Sequence, residues 1–202
     1  GFAGVYIFRI VLFPLAFSRI WKVRFLGASK SLWGHSASHC GQDFQIKCIP
    51  CMIRIYTDGA AQGNPGPGAF GVVMKFKDAV KELSGGFRLT TNNRMELLAV
   101  ITGLEAIKKD GIGVTIYSDS KYVVDAVEKG WIWGWQEKNF AKKANPDLWQ
   151  RYIPLHLKYK PKFVWVKGHA GHPENERCDQ LAVEAATSGK LKVDVEYEHN
   201  RD

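Results

Sequence analysis

Four acidic side chains stand where an apolar residue would serve a folded core better: Asp58, Glu96, Asp119 and Asp179. Asp58 and Asp119 each follow a short stretch with the pattern of a β-strand, while Glu96 and Asp179 lie in stretches with helical periodicity. Strand ends in an open α/β sheet face the crevice in which ligands bind. We therefore expect Asp58 and Asp119 to converge at one edge of a sheet.

The chemistry that such a cluster favours is metal binding. Clustered carboxylates repel one another and raise each other's pKa unless cations neutralise them. Oxygen ligands with room for water favour Mg²⁺ or Mn²⁺, and two such ions about 3.5–4 Å apart stabilise the attacking and leaving oxygens of phosphodiester cleavage. Any one acid alone is better explained as a solvated loop end or a helix cap, and Asp119 could cap a helix that starts at Ser120. Four together favour the metal site.

The chain from Met52 onward alternates between strand and helix patterns. Ile53–Asp58 predicts a first strand, and residues 69–76 and 80–89 predict an antiparallel hairpin around a turn at Lys77-Asp78. The order helix, strand, helix, helix, strand and helix is then predicted over residues 95–109, 114–117, 120–129, 146–158, 162–166 and 175–186. This order indicates an α/β fold, in which helices pack on a mixed sheet.

Both ends of the chain differ from this domain, which we assign to residues 52–189. Residues 1–51 lack a periodic pattern and contain one acid, Asp43, so we expect an N-terminal extension outside the catalytic fold. Its apolar stretch 10–17 resembles a signal-peptide core but is too short to span a membrane. An organelle transit peptide and in-frame sequence upstream of a start at Met52 are the other two alternatives, and we favour the last. Residues 190–202 predict a polar C-terminal tail.

The extension also contains residue types that bind zinc, namely His35, His39, Cys40, Cys48 and Cys51. A single Cys-x-x-Cys without a second well-spaced pair is weak evidence for a zinc site. We therefore favour the alternative that these residues hold no structural metal.

Composition sets weaker limits than the motifs do. The net charge is +8, but residues 1–51 contribute +5 of it and the remainder only +3. Global charge therefore does not establish phosphate binding. A length of 202 residues fits one domain with appendages. The four cysteines form no paired framework, which favours a reducing compartment, and we predict a cytoplasmic location.

Several longer motifs are similar, in order, to those of the bacterial type 1 ribonuclease H family. They are Thr57-Asp58-Gly59-Ala60, Gly63-Asn64-Pro65-Gly66-Pro67-Gly68, Thr90-Thr91-Asn92-Asn93-Arg94-Met95-Glu96-Leu97, Ser118-Asp119-Ser120-Lys121-Tyr122-Val123, Asp147-Leu148-Trp149 and Trp165-Val166-Lys167-Gly168-His169-Ala170-Gly171-His172-Pro173-Glu174-Asn175-Glu176-Arg177-Cys178-Asp179. Together they cover residues 52–188, and several long motifs in register are far more specific than any single one.

The resemblance implies a five-stranded mixed sheet with strands 1–3 antiparallel. It implies an endonuclease that cuts the RNA strand of RNA–DNA hybrids by two-metal-ion catalysis and leaves 5′-phosphate and 3′-hydroxyl ends. The cofactor would be two Mg²⁺ ions, with Mn²⁺ as a substitute. Asp58 would be shared by both ions, Asp179 would complete the ion that activates water, and Glu96 and Asp119 would hold the ion on the leaving-group side. His169 resembles the family histidine that assists proton transfer or product departure; its alternative is a loop histidine that merely forms hydrogen bonds.

The same resemblance implies contacts with the hybrid near the carboxylates. Asn64, Asn93 and the backbone around Ala61 match positions that face the RNA sugars, and Thr91 and Asn92 match positions on the DNA side. The family often has Cys where Ala61 stands, so only a backbone role carries over there. The segment around Asn64 can also be an ordinary turn, and that role is compatible with contact.

A basic protrusion is the second surface that the resemblance implies. Trp131 and Trp135 are four residues apart on one helical face, and three lysines could meet phosphates, Lys138, Lys142 and Lys143. Core packing is the alternative for the tryptophans. Two rival functions are another nuclease or recombinase of the same fold and a non-catalytic hybrid-binding module, which the presence of all four acids disfavours. We expect a monomer without membrane association.

Overall fold

The fold is built on one five-stranded sheet, in a computed structural model that describes residues 52–168 and 170–199. The strands are β1 Met52–Ala61, β2 Gly66–Phe76, β3 Ala79–Thr90, β4 Gly113–Ser118 and β5 Lys162–Trp165. Their order is β3-β2-β1-β4-β5, with β1 to β3 antiparallel, β4 parallel to β1 and β5 parallel to β4. The predicted mixed sheet with strands 1–3 antiparallel is confirmed.

Two groups of sequence predictions cannot be placed on this sheet. The N-terminal extension 1–51 lies outside the described residues, and so do its candidate zinc ligands. His169, the candidate proton-transfer residue, also lies outside them.

The helices are α1 Asn92–Glu105, α2 Lys121–Glu128, α3 Trp131–Glu137, α4 Pro146–Tyr159, α5 Pro173–Thr187 and α6 Val195–His199. Helix α2 begins at Lys121 because the Ser120 hydroxyl accepts a hydrogen bond from the Val123 backbone N–H at 3.4 Å. This bond satisfies one of the N–H groups that a helix start leaves unpaired. Ser120 therefore caps this helix, and the sequence-based alternative that Asp119 caps it is wrong. None of the described helices has the length and apolar character needed to span a membrane.

The core lies between α1 and the sheet. Leu97, Ile101 and Leu104 of α1 are fully buried, and so are Ile55 of β1 and Val72 of β2. Each such side chain contributes roughly 1.5–3 kcal/mol by leaving water. Helix α1 is thereby fixed against β1 and β2. The helix begins at Asn92, earlier than the predicted start at residue 95.

Residues 190–199 differ from the expected polar tail. Lys192 forms an isolated parallel bridge with Phe87 of β3, and its backbone exchanges two hydrogen bonds of 2.9 Å with Gly86 and Arg88. Asp194 is buried and hydrogen bonds to Arg94 of α1. The segment therefore packs on the domain. The contacts of this polar segment were not visible from the sequence, because the partners that hold it lie about a hundred positions earlier in the chain.

Candidate active site

Three of the four candidate carboxylates converge at one edge of the sheet. Asp58, Glu96 and Asp119 each offer a carboxylate oxygen, and these oxygens all lie within 4.8 Å of one another. The register explains the pairing of the two aspartates: Thr57 of β1 lies opposite Ser118 at the end of β4, so the next residue on each strand is an acid. The sequence-based expectation that Asp58 and Asp119 converge agrees with this geometry.

Glu96 reaches the two aspartates because α1 approaches β1 very closely. A Cβ atom at Gly59 would lie 2.5 Å from the backbone nitrogen of Glu96 and 2.5 Å from the carbonyl carbon of Met95. Only glycine leaves room for this contact, since real Cβ atoms are not found so near to backbone atoms. The backbone N–H of Gly59 also donates to Oδ1 of Asp58 at 2.8 Å. Gly59 thus orients the carboxylate of Asp58 and leaves room for the backbone of Glu96 to approach β1.

The electrostatics of the cluster centre on Glu96, which is only 8% exposed. Burial, together with the negative charges of Asp119 and Asp58, raises the pKa of Glu96 to about 8, against opposing hydrogen bonds from Ser120 and Asn92. The Asn92 side-chain amide donates to Oε1 of Glu96 at 3.3 Å. Sequence reasoning placed Asn92 only on the nucleic acid, so this contact with a candidate ligand was missed.

Two oxygens of this cluster could be satisfied by a cation. Oε2 of Glu96 and Oδ1 of Asp119 are buried and accept no hydrogen bond from any described residue. A buried carboxylate oxygen without a partner is costly unless a cation or a water molecule satisfies it. All ligand atoms are oxygens, which fits a hard divalent cation such as Mg²⁺ or Mn²⁺.

Asp179, the fourth candidate, lies outside this group. It is half-buried in α5, the helix that packs on β1 and β2. Its neighbour Cys178 is fully buried and donates from Sγ to the carbonyl oxygen of Tyr56 at 3.2 Å. Tyr56 precedes Asp58 by two residues, so α5 is fixed directly over the strand that carries the cluster. The ligand role of Asp179 stays a prediction.

The loop after β5 begins against Asp119. A Cβ atom at Gly168 would lie 2.6 Å from Oδ2 of Asp119, so this carboxylate and the backbone that leads to His169 are in direct contact. His172 precedes α5 as its cap residue, in agreement with the expectation that it belongs to the start of this helix. One further neighbour was missed from the sequence: the indole N–H of Trp165 donates to the Asp119 carbonyl oxygen at 3.0 Å.

The candidate hybrid contacts near the carboxylates share one surface. Asn64 is exposed in the connection between β1 and β2, and its Oδ1 accepts from the backbone N–H of Asn92 at 3.4 Å. Thr91 and Asn92 are half-buried and Asn93 is exposed, at the start of the helix that carries Glu96. The Asn64 turn and the start of α1 are therefore joined by a direct hydrogen bond. The sequence alone did not indicate this contact.

The basic protrusion divides between exposed and packed side chains. Trp131 is 47% exposed, and its ring centroid lies 6.4 Å from that of Trp135. Trp135 is half-buried and packs edge-on against Trp149 of α4. Nζ of Lys143 lies 5.1 Å from the Trp135 ring centroid, and the other two lysines of this group, Lys138 and Lys142, are exposed. The alternative that these tryptophans pack in the core therefore holds in part for Trp135. Trp131 is exposed to solvent.

Comparison with known proteins agrees with this geometry. The model of the RNase H family matches residues 51–187, more than half of the chain. The chain is similar to a ribonuclease H from Desulforamulus reducens, with 59% identity over 148 residues that cover 71% of this chain and 92% of the relative. It is also similar to a ribonuclease H from Syntrophus aciditrophicus, with 55% identity over 151 residues that cover 72% of this chain and 87% of the relative.

Solved structures of the same kind match the fold. LC9-RNase H1, described as a type 1 RNase H with the type 2 active-site motif, superposes with a TM-score of 0.61 at 30% identity and covers 75% of this chain and 81% of that one. LC11-RNase H1 in complex with an RNA/DNA hybrid superposes with a TM-score of 0.53 at 28% identity and covers 68% of this chain and 98% of that one.

Proposed function

The chain belongs to the RNase H family, and we propose that it is an endonuclease that hydrolyses the RNA strand of RNA–DNA hybrids with two bound metal ions. The observation that carries this proposal is the convergence of Asp58, Glu96 and Asp119 with two buried oxygens that lack partners. Like its family, the enzyme depends on divalent metal. We infer that the metal is Mg²⁺, with Mn²⁺ as a substitute, and that Asp179 is the fourth ligand.

The protein's contribution is to hold the ligands in place. The Gly59 N–H fixes the Asp58 carboxylate, and the Asn92 amide fixes that of Glu96. Because burial favours the protonated form of Glu96, this residue must release its proton before it can hold a cation. Two divalent ions held by these carboxylates would activate the attacking water and stabilise the leaving oxygen of a phosphodiester. The expected products carry 5′-phosphate and 3′-hydroxyl ends.

His169 is proposed as the residue that moves a proton or assists product departure. The support is its sequence position, directly after a glycine whose backbone contacts Asp119. Water can replace part of such a proton transfer. A milder loss of activity in His169→Ala than in Asp58→Asn would therefore support the role.

Hybrid recognition is proposed for the two surfaces described above. Selection of RNA requires groups that sense the 2′-hydroxyl, which is both donor and acceptor. The side-chain amides of Asn64 and Asn93 and the backbone near Ala61 supply such groups, and Thr91 and Asn92 would meet the DNA strand. The hybrid in the LC11-RNase H1 structure supports a hybrid as the ligand of this fold. The exposed Trp131 and the nearby lysines would extend the contact along the DNA.

We further propose that the protein acts as a monomer in the cytoplasm. The support for the compartment is the cysteine usage, which shows no paired framework and therefore favours a reducing environment. Light scattering after size exclusion would test the oligomeric state, and a molar mass near the 22.7 kDa of one chain is expected.

One set of labelled duplexes tests the proposed activity. RNA–DNA, RNA–RNA and DNA–DNA duplexes of the same sequence are incubated with Mg²⁺, with Mn²⁺ and with a chelator. The proposal predicts cleavage of the RNA strand in the hybrid alone, and only with metal. Cleavage of plain DNA duplex would instead support another nuclease of the same fold, and binding without cleavage would support the non-catalytic alternative.

A further inference from the structure

Trp165 combines exposure with rigid attachment to the active site. It is the last residue of β5, and 45% of its surface is accessible. Its indole N–H donates to the carbonyl oxygen of Asp119 at 3.0 Å. The polar edge of the ring is therefore anchored to the backbone of a candidate metal ligand, while much of its apolar surface faces water.

A lysine lies close to this ring, and a second follows Trp165 in the chain. Nζ of Lys121 is 5.3 Å from the centroid of the Trp165 indole, and Lys121 is itself exposed at the start of α2. Lys167 is exposed two residues after Trp165. Among the described residues, neither lysine forms an ion pair within 4.0 Å. The tryptophan thus lies beside exposed lysines that form no close ion pair with a carboxylate of the described residues.

The strand order places this patch opposite the candidate RNA contacts. Asn64 follows β1 toward β2, on one side of the carboxylates, and Trp165 ends β5 on the other side. Asp58 and Asp119 lie between them, on the neighbouring strands β1 and β4. An RNA strand that passes Asn64 and places a phosphodiester at the carboxylates would continue toward β5. The side chains of Trp165 and Lys121 are exposed there.

We propose that Trp165 and Lys121 form a further substrate contact, which holds the sugar–phosphate backbone of the RNA strand on the β5 side of the bond to be cut. The Lys121 ammonium binds a phosphate, and the indole packs against the adjacent ribose, a contact that any base sequence permits. A tryptophan with one wet face and one anchored polar edge is suited to such an interface. The inference rests on the proposed function.

A purely internal role is the competing explanation for Trp165. In that case the indole would only hold the backbone of Asp119 in place. Such a role requires only the indole N–H group. It does not explain why the ring remains accessible beside a lysine, since large aromatic side chains are mostly buried. The two explanations differ in which substitutions are tolerated and in which kinetic constant changes.

The test compares Trp165→Phe, Trp165→Ala and Lys121→Ala with the parent. Lys109→Ala is the matched control, since Lys109 is exposed near the opposite ends of β1 and β4. Hybrid affinity is measured by fluorescence anisotropy in chelator, where no cleavage interferes, over a range of salt. kcat and KM are measured separately with Mg²⁺, and each variant's melting temperature is recorded.

Substrate contact predicts changes in affinity and KM. Trp165→Ala should weaken hybrid affinity about fivefold, the lower end of what an aromatic contact to nucleic acid contributes, and raise KM while kcat changes little. Trp165→Phe keeps a ring and should retain most of the affinity. Lys121→Ala should reduce the salt slope of log K by about 0.9, the value for one phosphate contact on a duplex. Lys109→Ala should match the parent.

Three results would overturn the inference. Unchanged affinity and salt slope in both Trp165→Ala and Lys121→Ala, while the parent binds and cleaves the hybrid, would remove the contact and leave the proposed function intact. Equal losses of kcat in Trp165→Phe and Trp165→Ala at constant KM would make Trp165 a positioning residue for Asp119. A parent that does not bind the hybrid would overturn the proposed function as well. If Trp165→Ala fails to fold, the phenylalanine and lysine variants decide.

Discussion

The Arg94 guanidinium donates two hydrogen bonds, of 2.6 and 2.8 Å, to the carboxylate of Asp194, which lies 100 positions later in the chain. It donates two more, of 2.8 and 2.6 Å, to Asp147 at the start of α4. Arg94 is only 4% exposed and precedes Glu96 by two residues. The segment after α5 is therefore tied to the helix turn that carries a candidate metal ligand.

Asp194→Ala should destabilise the domain, because it leaves the buried Arg94 with a single carboxylate partner. Removing one member of a buried ion pair costs about 3 kcal/mol at the lower end, which corresponds to a fall in melting temperature of about 6–12 °C for a domain of this size. The matched control is Glu198→Ala, which removes an ion pair with the exposed Arg88 and should change the melting temperature little, because solvent screens exposed ion pairs. Equal falls in melting temperature for Asp194→Ala and Glu198→Ala would show that the buried ion pair stabilises the domain no more than the exposed one does.

Glu96 should make the stability of the metal-free protein depend on pH. Burial raises its pKa from 4.5 to about 8 in the folded state, so between these values the folded protein holds a proton that the unfolded chain has released. This contribution to stability is complete below about pH 4.5 and is lost as the pH rises through about 8. In chelator, the melting temperature of the parent should therefore fall from pH 5 to pH 8.5 more steeply than that of Glu96→Gln. Parallel curves for the two proteins would contradict the prediction.

The sequence predicted the site best where local pattern and chemistry coincide. Asp58 and Asp119 each end an apolar strand pattern, so their convergence followed from the general geometry of α/β sheets. The contact of Asp194 with Arg94 had no local signal, because the partners are distant in the chain and a short polar segment resembles a tail. The exposure of Trp165 was equally hidden, since an aromatic residue that ends a strand is expected to pack inside.

Replacing Lys138, Lys142 and Lys143 together by Ala should weaken hybrid binding and flatten its salt dependence. All three are exposed, and if each contacts a phosphate, the slope of log K against log salt should shrink by up to about 2.7, roughly 0.9 per contact. kcat at saturating hybrid should change little, since none of them is a candidate metal ligand. An unchanged slope would show that the phosphate contacts lie on another surface, such as that around Lys121 and Lys167.

A chain that starts at Met52 should fold and cleave the hybrid as the full chain does. The first strand begins at Met52, and the family match begins at residue 51. Melting temperature, cleavage rate and hybrid affinity are compared for the two chains. A fall of more than about 5 °C in the shorter chain would show that residues 1–51 contribute to the stability of the domain. Loss of affinity at unchanged stability would make them a binding arm.

The variant Asp58→Asn tests whether the carboxylate cluster performs metal-dependent cleavage. This change keeps the shape of the side chain and removes the charge that both metal ions would share. The matched control is Asp78→Asn, in the exposed turn between β2 and β3. The measurement is the rate of cleavage of the RNA strand of a labelled hybrid at saturating Mg²⁺, with the melting temperature of each protein. We expect a folded Asp58→Asn protein without detectable cleavage and a fully active control. A folded Asp58→Asn protein with activity within about tenfold of the parent would show that the carboxylate of Asp58 is not required for cleavage.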